Sequence, residues 1–92
     1  MENIEITWQE VNSLEKDSYV LIDIRDESAV NYGMIPGAVH IPEEQLTTEN
    51  DKISKEKKVI FYCTKGIFSK EKAEEFQKDG IQAYSLQGGY MG

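Results

Sequence analysis

Tyr19-Val20-Leu21-Ile22-Asp23-Ile24 is almost continuously apolar, where a strand with one wet face would alternate. A run of this kind suits a strand buried on both faces of a parallel sheet, and it is expected to lie centrally. Val59-Ile60-Phe61-Tyr62, rich in β-branched and aromatic residues, is a second strand. Strands separated by helical segments, each unit tens of residues long, indicate an α/β fold with helices on the sheet's faces. Ninety-two residues allow one domain, 1–92, with a single core and little margin.

The other elements follow in order. Ile4-Glu5-Ile6 alternates over enough residues only for a short edge strand. Thr7-Trp8-Gln9-Glu10 has the spacing of a capping box, with Trp8, Val11 and Leu14 following at helical spacing. That stripe is expected to be core, and Trp8 to pack on the sheet rather than line a ligand pocket. Asp26 to Tyr32 reads as a short helix ended by Gly33, and Met34-Ile35-Pro36-Gly37 as a turn. Ala38-Val39-His40-Ile41 is a short strand stopped by Pro42. His40 is the only histidine and the obvious proton shuttle near neutral pH, but its spacing makes it a strand residue facing away from Val39 and Ile41. Glu43 through Glu56 is polar surface structure anchored by Leu46 and Ile53. Lys70 to Lys78 reads as a solvated helix with Ala73 and Phe76 inward and Gly80 as its stop. Ile81 to Leu86 is a final strand, after which Gln87-Gly88-Gly89 turns sharply.

The chemistry gathers at Cys63-Thr64-Lys65-Gly66-Ile67-Phe68-Ser69, between the second strong strand and the last helix. A lone cysteine is commonly a small buried hydrophobe. This one stands at the carboxyl end of a strand, where α/β sheets bind ligands, just ahead of a helix N-terminus with its unpaired N–H groups and positive dipole end. Such a place favours a thiolate, and nucleophile is therefore the preferred reading. Ser69 is expected to be the helix N-cap, and Lys65 to help lower the thiol pKa. Asp23 and Arg25 fall on one side of their strand. They read either as catalytic acid and base or, preferably, as a supporting charge pair, because a buried carboxylate needs compensation.

Ten basic against seventeen acidic residues leave a formal charge of −7. That balance argues against nucleic acid or an anionic membrane surface as a partner. No basic leader followed by an apolar run stands at the start and no segment is long enough to cross a bilayer, so a cytoplasmic protein is expected. One cysteine and one histidine do not make a disulfide or a familiar structural zinc site, and neither metal nor cofactor is expected. Whatever forms covalently on Cys63 must then be resolved from outside.

Asp23-Ile24-Arg25, Gly33, Ile35-Pro36-Gly37-Ala38, Ile41-Pro42, the pattern of Cys63, Gly66 and Ser69, and Gly88-Gly89 together resemble the rhodanese-like domain, a family of single-cysteine sulfurtransferases. The resemblance covers nearly the whole chain. It implies a rhodanese-like fold: a small central parallel sheet of four to five strands flanked by helices on both faces. It also implies that Cys63 takes sulfur from thiosulfate or a persulfide and passes it, as a persulfide, to a thiol, protein or cyanide acceptor. The loop Thr64, Lys65, Gly66, Ile67, Phe68 and Ser69 would cradle that sulfur with backbone N–H groups, and Lys65 would attract an anionic donor. Related phosphatases have a loop one residue longer, so the six residues from Cys63 to Phe68 fit sulfur transfer. The chain departs from the family at Phe68, where arginine is usual, at Met34, where histidine is commoner, and at Ala29 and Val30, where an acidic and an aromatic residue are usual. The family also commonly continues into a last helix, whose absence would open the cysteine pocket. A monomer is expected. The alternative is a non-catalytic rhodanese-homology module that binds a protein partner or senses redox state.

Overall fold

The computed structural model describes residues 4–47, 49–53 and 55–90. Met1 to Asn3, Thr48, Ser54, Met91 and Gly92, with the expectations placed on the two chain ends, lie outside them. Five strands form one sheet: β1 (Glu5–Ile6), β2 (Tyr19–Asp23), β3 (Val39–His40), β4 (Lys58–Tyr62) and β5 (Ala83–Leu86). Their order is β1-β5-β4-β2-β3, with every pair parallel. The middle strand is thus β4, which carries the cysteine at its end. The long apolar strand β2 is interior but stands one place off centre. The longest pairing, Tyr19 with Lys58 through Asp23 with Tyr62, sets the carboxyl ends of these two strands side by side.

Alternation along β4 divides the core between two layers. Val59, Phe61 and Cys63 face one side, with Ile22 of β2 and Ala83 of β5. Ala73 and Phe76 of α3 (Ile67–Lys78) cover that layer, Phe76 packing edge-on against Phe61 at 5.0 Å between ring centres. Leu46 and Ile53, the expected apolar anchors of the polar crossover, join the same layer. Ile60 and Tyr62 face the other side with Ile6, Leu21, Ile35 and Leu86, under Val11 of α1 (Trp8–Ser13). Helices therefore close both faces, as a parallel sheet requires.

The capping box is present at α1: Glu10 N–H donates to the Thr7 hydroxyl at 3.1 Å, and Thr7 N–H to the Glu10 carboxylate at 3.1 Å. Trp8, expected in the core, is 45% exposed. It is the first residue of a helix of six, whose inward direction is taken by Val11. The short helix α2 (Glu27–Asn31) starts at Asp26, whose carboxylate accepts from Ala29 N–H at 3.0 Å. No helix among the described residues is long and apolar enough to cross a membrane.

Candidate active site

Cys63 directly follows β4, and α3 begins only four residues later, so the linking backbone must reverse sharply. Gly66 makes the reversal at φ +82°, ψ 8°, a left-handed conformation that a β-carbon disfavours. Gly66, not Ser69, is the residue that caps α3. Ile67, Phe68 and Ser69, expected in the loop, are instead its first turn. Because the helix starts early, Ser69 is rotated into the interior, where it is fully buried.

That rotation sets Ser69 beside the sulfur. The Cys63 Sγ lies 3.5 Å from Ser69 Oγ, and Gly66 N–H donates to it at 3.1 Å. Behind Ser69 stands Ser85 of β5, also fully buried, with its Oγ 2.7 Å away. Burial of Cys63 (5% exposed) pushes the thiol pKa up. The Ser69 hydroxyl and the backbone N–H groups of Ser69, Gly66 and Lys65 more than offset this, leaving it below the ordinary 9.0. Lys65, expected to act through its charge, contributes through its backbone N–H. A loop that turns backbone N–H onto the sulfur is what the family resemblance implies, and Gly66 N–H is so placed.

Since the folded thiol ionises below its unfolded value, the cradle's contribution to stability is fully present above pH 9.0. It is lost as pH falls through the folded pKa. Ser69→Ala is expected to raise the Cys63 pKa. It should also slow iodoacetamide alkylation at neutral pH by roughly an order of magnitude, hydrogen bonds to charged groups contributing about 1.5–3 kcal/mol. A pH profile of alkylation superimposable on that of the parent would overturn this.

Asp23 and Arg25 form the expected pair, but they belong to the other layer. Arg25 Nη2 meets Asp23 Oδ2 at 2.8 Å, and its Nε donates to both carboxylate oxygens at 3.0 and 3.1 Å. The guanidinium also donates to the carbonyls of Gly33 at 2.6 Å and Tyr90 at 3.3 Å, between the rings of Tyr62 and Tyr90. Hydrogen bonding to Asp23 holds Arg25 above its ordinary pKa, and burial does the same for the Tyr62 phenol, whose oxygen accepts from Ile35 N–H at 3.0 Å. The pair ties strand β2 to the end of the chain. His40 lies at the same strand end, its Nε2 2.7 Å from the Arg25 carbonyl.

A cleft of about 450 Å³ opens over Cys63. Thr64, Lys65, Ile67 and Phe68 line it from the loop and α3, and Asp26, Glu43 and Glu44 from the facing side. Beneath the loop sits the Gly88-Gly89 turn: Tyr90 N–H donates to the Cys63 carbonyl at 2.8 Å. Sequence reasoning gave no part to Ser85, to the acidic rim or to this support. For Ser85 a signal existed, a hydroxyl on the inward face of an otherwise apolar strand.

A parallel α/β sheet with a depressed-pKa cysteine at the end of its middle strand, held by a glycine-turned loop ahead of a helix, defines the class of domain. The chain belongs to the rhodanese-like domain family, whose model matches residues 7–92. It is 33% identical over 78 residues to the thiosulfate sulfurtransferase of Coxiella burnetii, covering 84% of this chain and 73% of that one. It is 38% identical over 68 residues to a tRNA sulfurtransferase of Pyrobaculum aerophilum, covering 74% of this chain but only 14% of that protein. Among solved structures, a rhodanese-like domain protein of Staphylococcus aureus superposes with a TM-score of 0.81 at 26% identity, over 92% of this chain and 85% of that one. The fold is rhodanese-like, and relatives bearing the name sulfurtransferase surround it.

Proposed function

We propose that this protein is a sulfurtransferase in which Cys63 carries sulfane sulfur as a persulfide from a small donor to a thiol, protein or cyanide acceptor. The observation that carries the reading is the convergence of backbone N–H groups and the Ser69 hydroxyl on Cys63 Sγ, strong enough to outweigh burial. The thiolate attacks the donor's outer sulfur. A Cys63 S–S bond forms as the donor's S–S bond breaks, and the electron pair leaves on sulfite from thiosulfate, or on a thiolate from a persulfide. An acceptor thiolate then attacks the outer sulfur of the Cys63 persulfide, which restores the Cys63 thiolate and leaves the acceptor persulfidated. The cradle holds negative charge on Cys63 Sγ at both ends of the cycle. Asp23 and Arg25 support the fold around it. Net charge −7 and a single reduced thiol fit a cytoplasmic setting without nucleic acid as partner.

The test is intact-protein mass spectrometry after incubation with thiosulfate and, separately, an organic persulfide. A gain of one sulfur, removed by added thiol and missing from Cys63→Ser, is expected. Loading by neither donor would overturn the reading in favour of a binding or redox-sensing module. Phe68→Arg, which places a cation at the cleft, should raise the thiosulfate loading rate about fivefold, equivalent to ~1 kcal/mol of added attraction. Unchanged kinetics would show that charge is not what Phe68 withholds.

A further inference from the structure

Building on the sulfur-carrier reading, we propose that the Cys63 cleft selects donors whose sulfane sulfur is attached to an apolar organic group and whose charge is no more negative than −1, over the thiosulfate dianion.

Charge is the first ground. Three carboxylates line the cleft, Asp26, Glu43 and Glu44, against the one ammonium of Lys65. Arg25 also lines it, but its guanidinium is turned to Asp23, Gly33 and Tyr90. Asp26 is fixed in place by its bond from Ala29 N–H, and Glu43 and Glu44 open a 3₁₀ turn (Glu43–Gln45) directly after Pro42. The Gly66 N–H of the loop is already directed at Cys63 Sγ, 3.1 Å away. A dianion approaching the thiolate therefore meets a rim of its own sign, and a monoanion meets half that repulsion. The effect acts over the ~8–10 Å Debye length of ordinary buffers.

The apolar wall is the second and independent ground. Ile67 and Phe68 are 58% and 57% exposed although α3 has a core face available at Ala73 and Phe76. Both sit on the first turn, lining the cleft beside the sulfur. An organic substituent on the donor would cover them; thiosulfate has none.

Organic thiosulfonates separate the two grounds with balanced chemistry. The thiolate attacks the terminal sulfur of R–SO₂–S⁻, the Cys63 S–S bond forms, the donor S–S bond breaks, and the pair leaves on the sulfinate R–SO₂⁻. Thiosulfate reacts identically but brings two charges and leaves as sulfite. Loading rates with thiosulfate, methanethiosulfonate and benzenethiosulfonate, read by mass, are compared between the parent, Glu43→Gln/Glu44→Gln and Phe68→Ala. Intrinsic donor reactivity cancels when each ratio is compared across variants. The double variant should raise the thiosulfate to methanethiosulfonate ratio roughly three- to tenfold at low ionic strength, a gain that shrinks with salt. Phe68→Ala should lower the benzenethiosulfonate to methanethiosulfonate ratio at least about threefold. Either ratio left unchanged while Cys63 still loads overturns the selection proposed and leaves the carrier reading standing. No loading from any donor overturns both.

Discussion

Gly89→Ala is expected to destabilise the domain by more than about 3 kcal/mol, a large part of the ~5–14 kcal/mol available to a chain of this length. A β-carbon built on Gly89 would lie against the carbonyl of Thr64 and within 2.6 Å of the Cys63 oxygen, both backbone atoms that cannot swing aside. The residue also holds φ +69°, so strain adds to the clash. Thermal unfolding followed by circular dichroism should show a fall in Tm of roughly 12–24 °C. The matched control is the preceding residue. Gly88 has φ +82° but open space where its β-carbon would go, so Gly88→Ala should cost only the conformational term, about 1–2 kcal/mol. Equal losses at the two positions would sink the close-packing explanation. Because the clash falls on the two residues that begin the loop, any Gly89→Ala protein that remains folded should also alkylate Cys63 more slowly.

Asp23→Ala should cost about 3–5 kcal/mol, because it strands a guanidinium in the interior. Arg25 and Asp23 are both buried, and Asp23 accepts three hydrogen bonds from the Arg25 side chain and a fourth from its backbone N–H at 2.8 Å. What is lost is chiefly the compensation of a buried charge and not the intrinsic value of the pair. The double variant Asp23→Ala/Arg25→Met should therefore be more stable than Asp23→Ala alone. Urea unfolding of the parent, both single variants and the double variant measures this directly. A loss below about 1 kcal/mol for Asp23→Ala, or additive single effects, would contradict it.

What the sequence made legible was whatever depends on local pattern. The uninterrupted hydrophobicity of β2 and β4, the Thr7–Glu10 box and the glycine after Cys63 each have one economical structural reading. The strand, loop and helix around the cysteine followed from them, as did the charge pair at the end of β2. Position among neighbours was harder to read. Serine is a favoured helix cap, and Ser69 looked like one. The loop turns its Gly66 N–H onto the sulfur through a left-handed conformation, so the helix is capped at Gly66, starts at Ile67 and carries Ser69 inside. Ser85 stands out in the sequence as a hydroxyl on an inward strand face, but its partner Ser69 is fixed only when β5 comes to lie beside β4, a pairing that spans the whole of α3. Trp8 has the spacing of a core residue, yet on a helix of six residues one inward position suffices. The acidic rim draws on Asp26 and on Glu43 and Glu44, two segments brought together by β2 and β3.

The two borders of the sheet are its shortest strands, β1 and β3, each two residues long. Pro42 lies just beyond β3 and removes a backbone donor there. At the other border Glu5 places a charge, 3.6 Å from Lys70 of α3. A second copy seeking to extend the sheet would thus find only a few backbone groups to pair with, beside a proline or a charge. The long, sticky strands are all internal. Any extension of the sheet by edge pairing would have to begin on the two shortest strands, with the longer hydrophobic ones already paired on both sides.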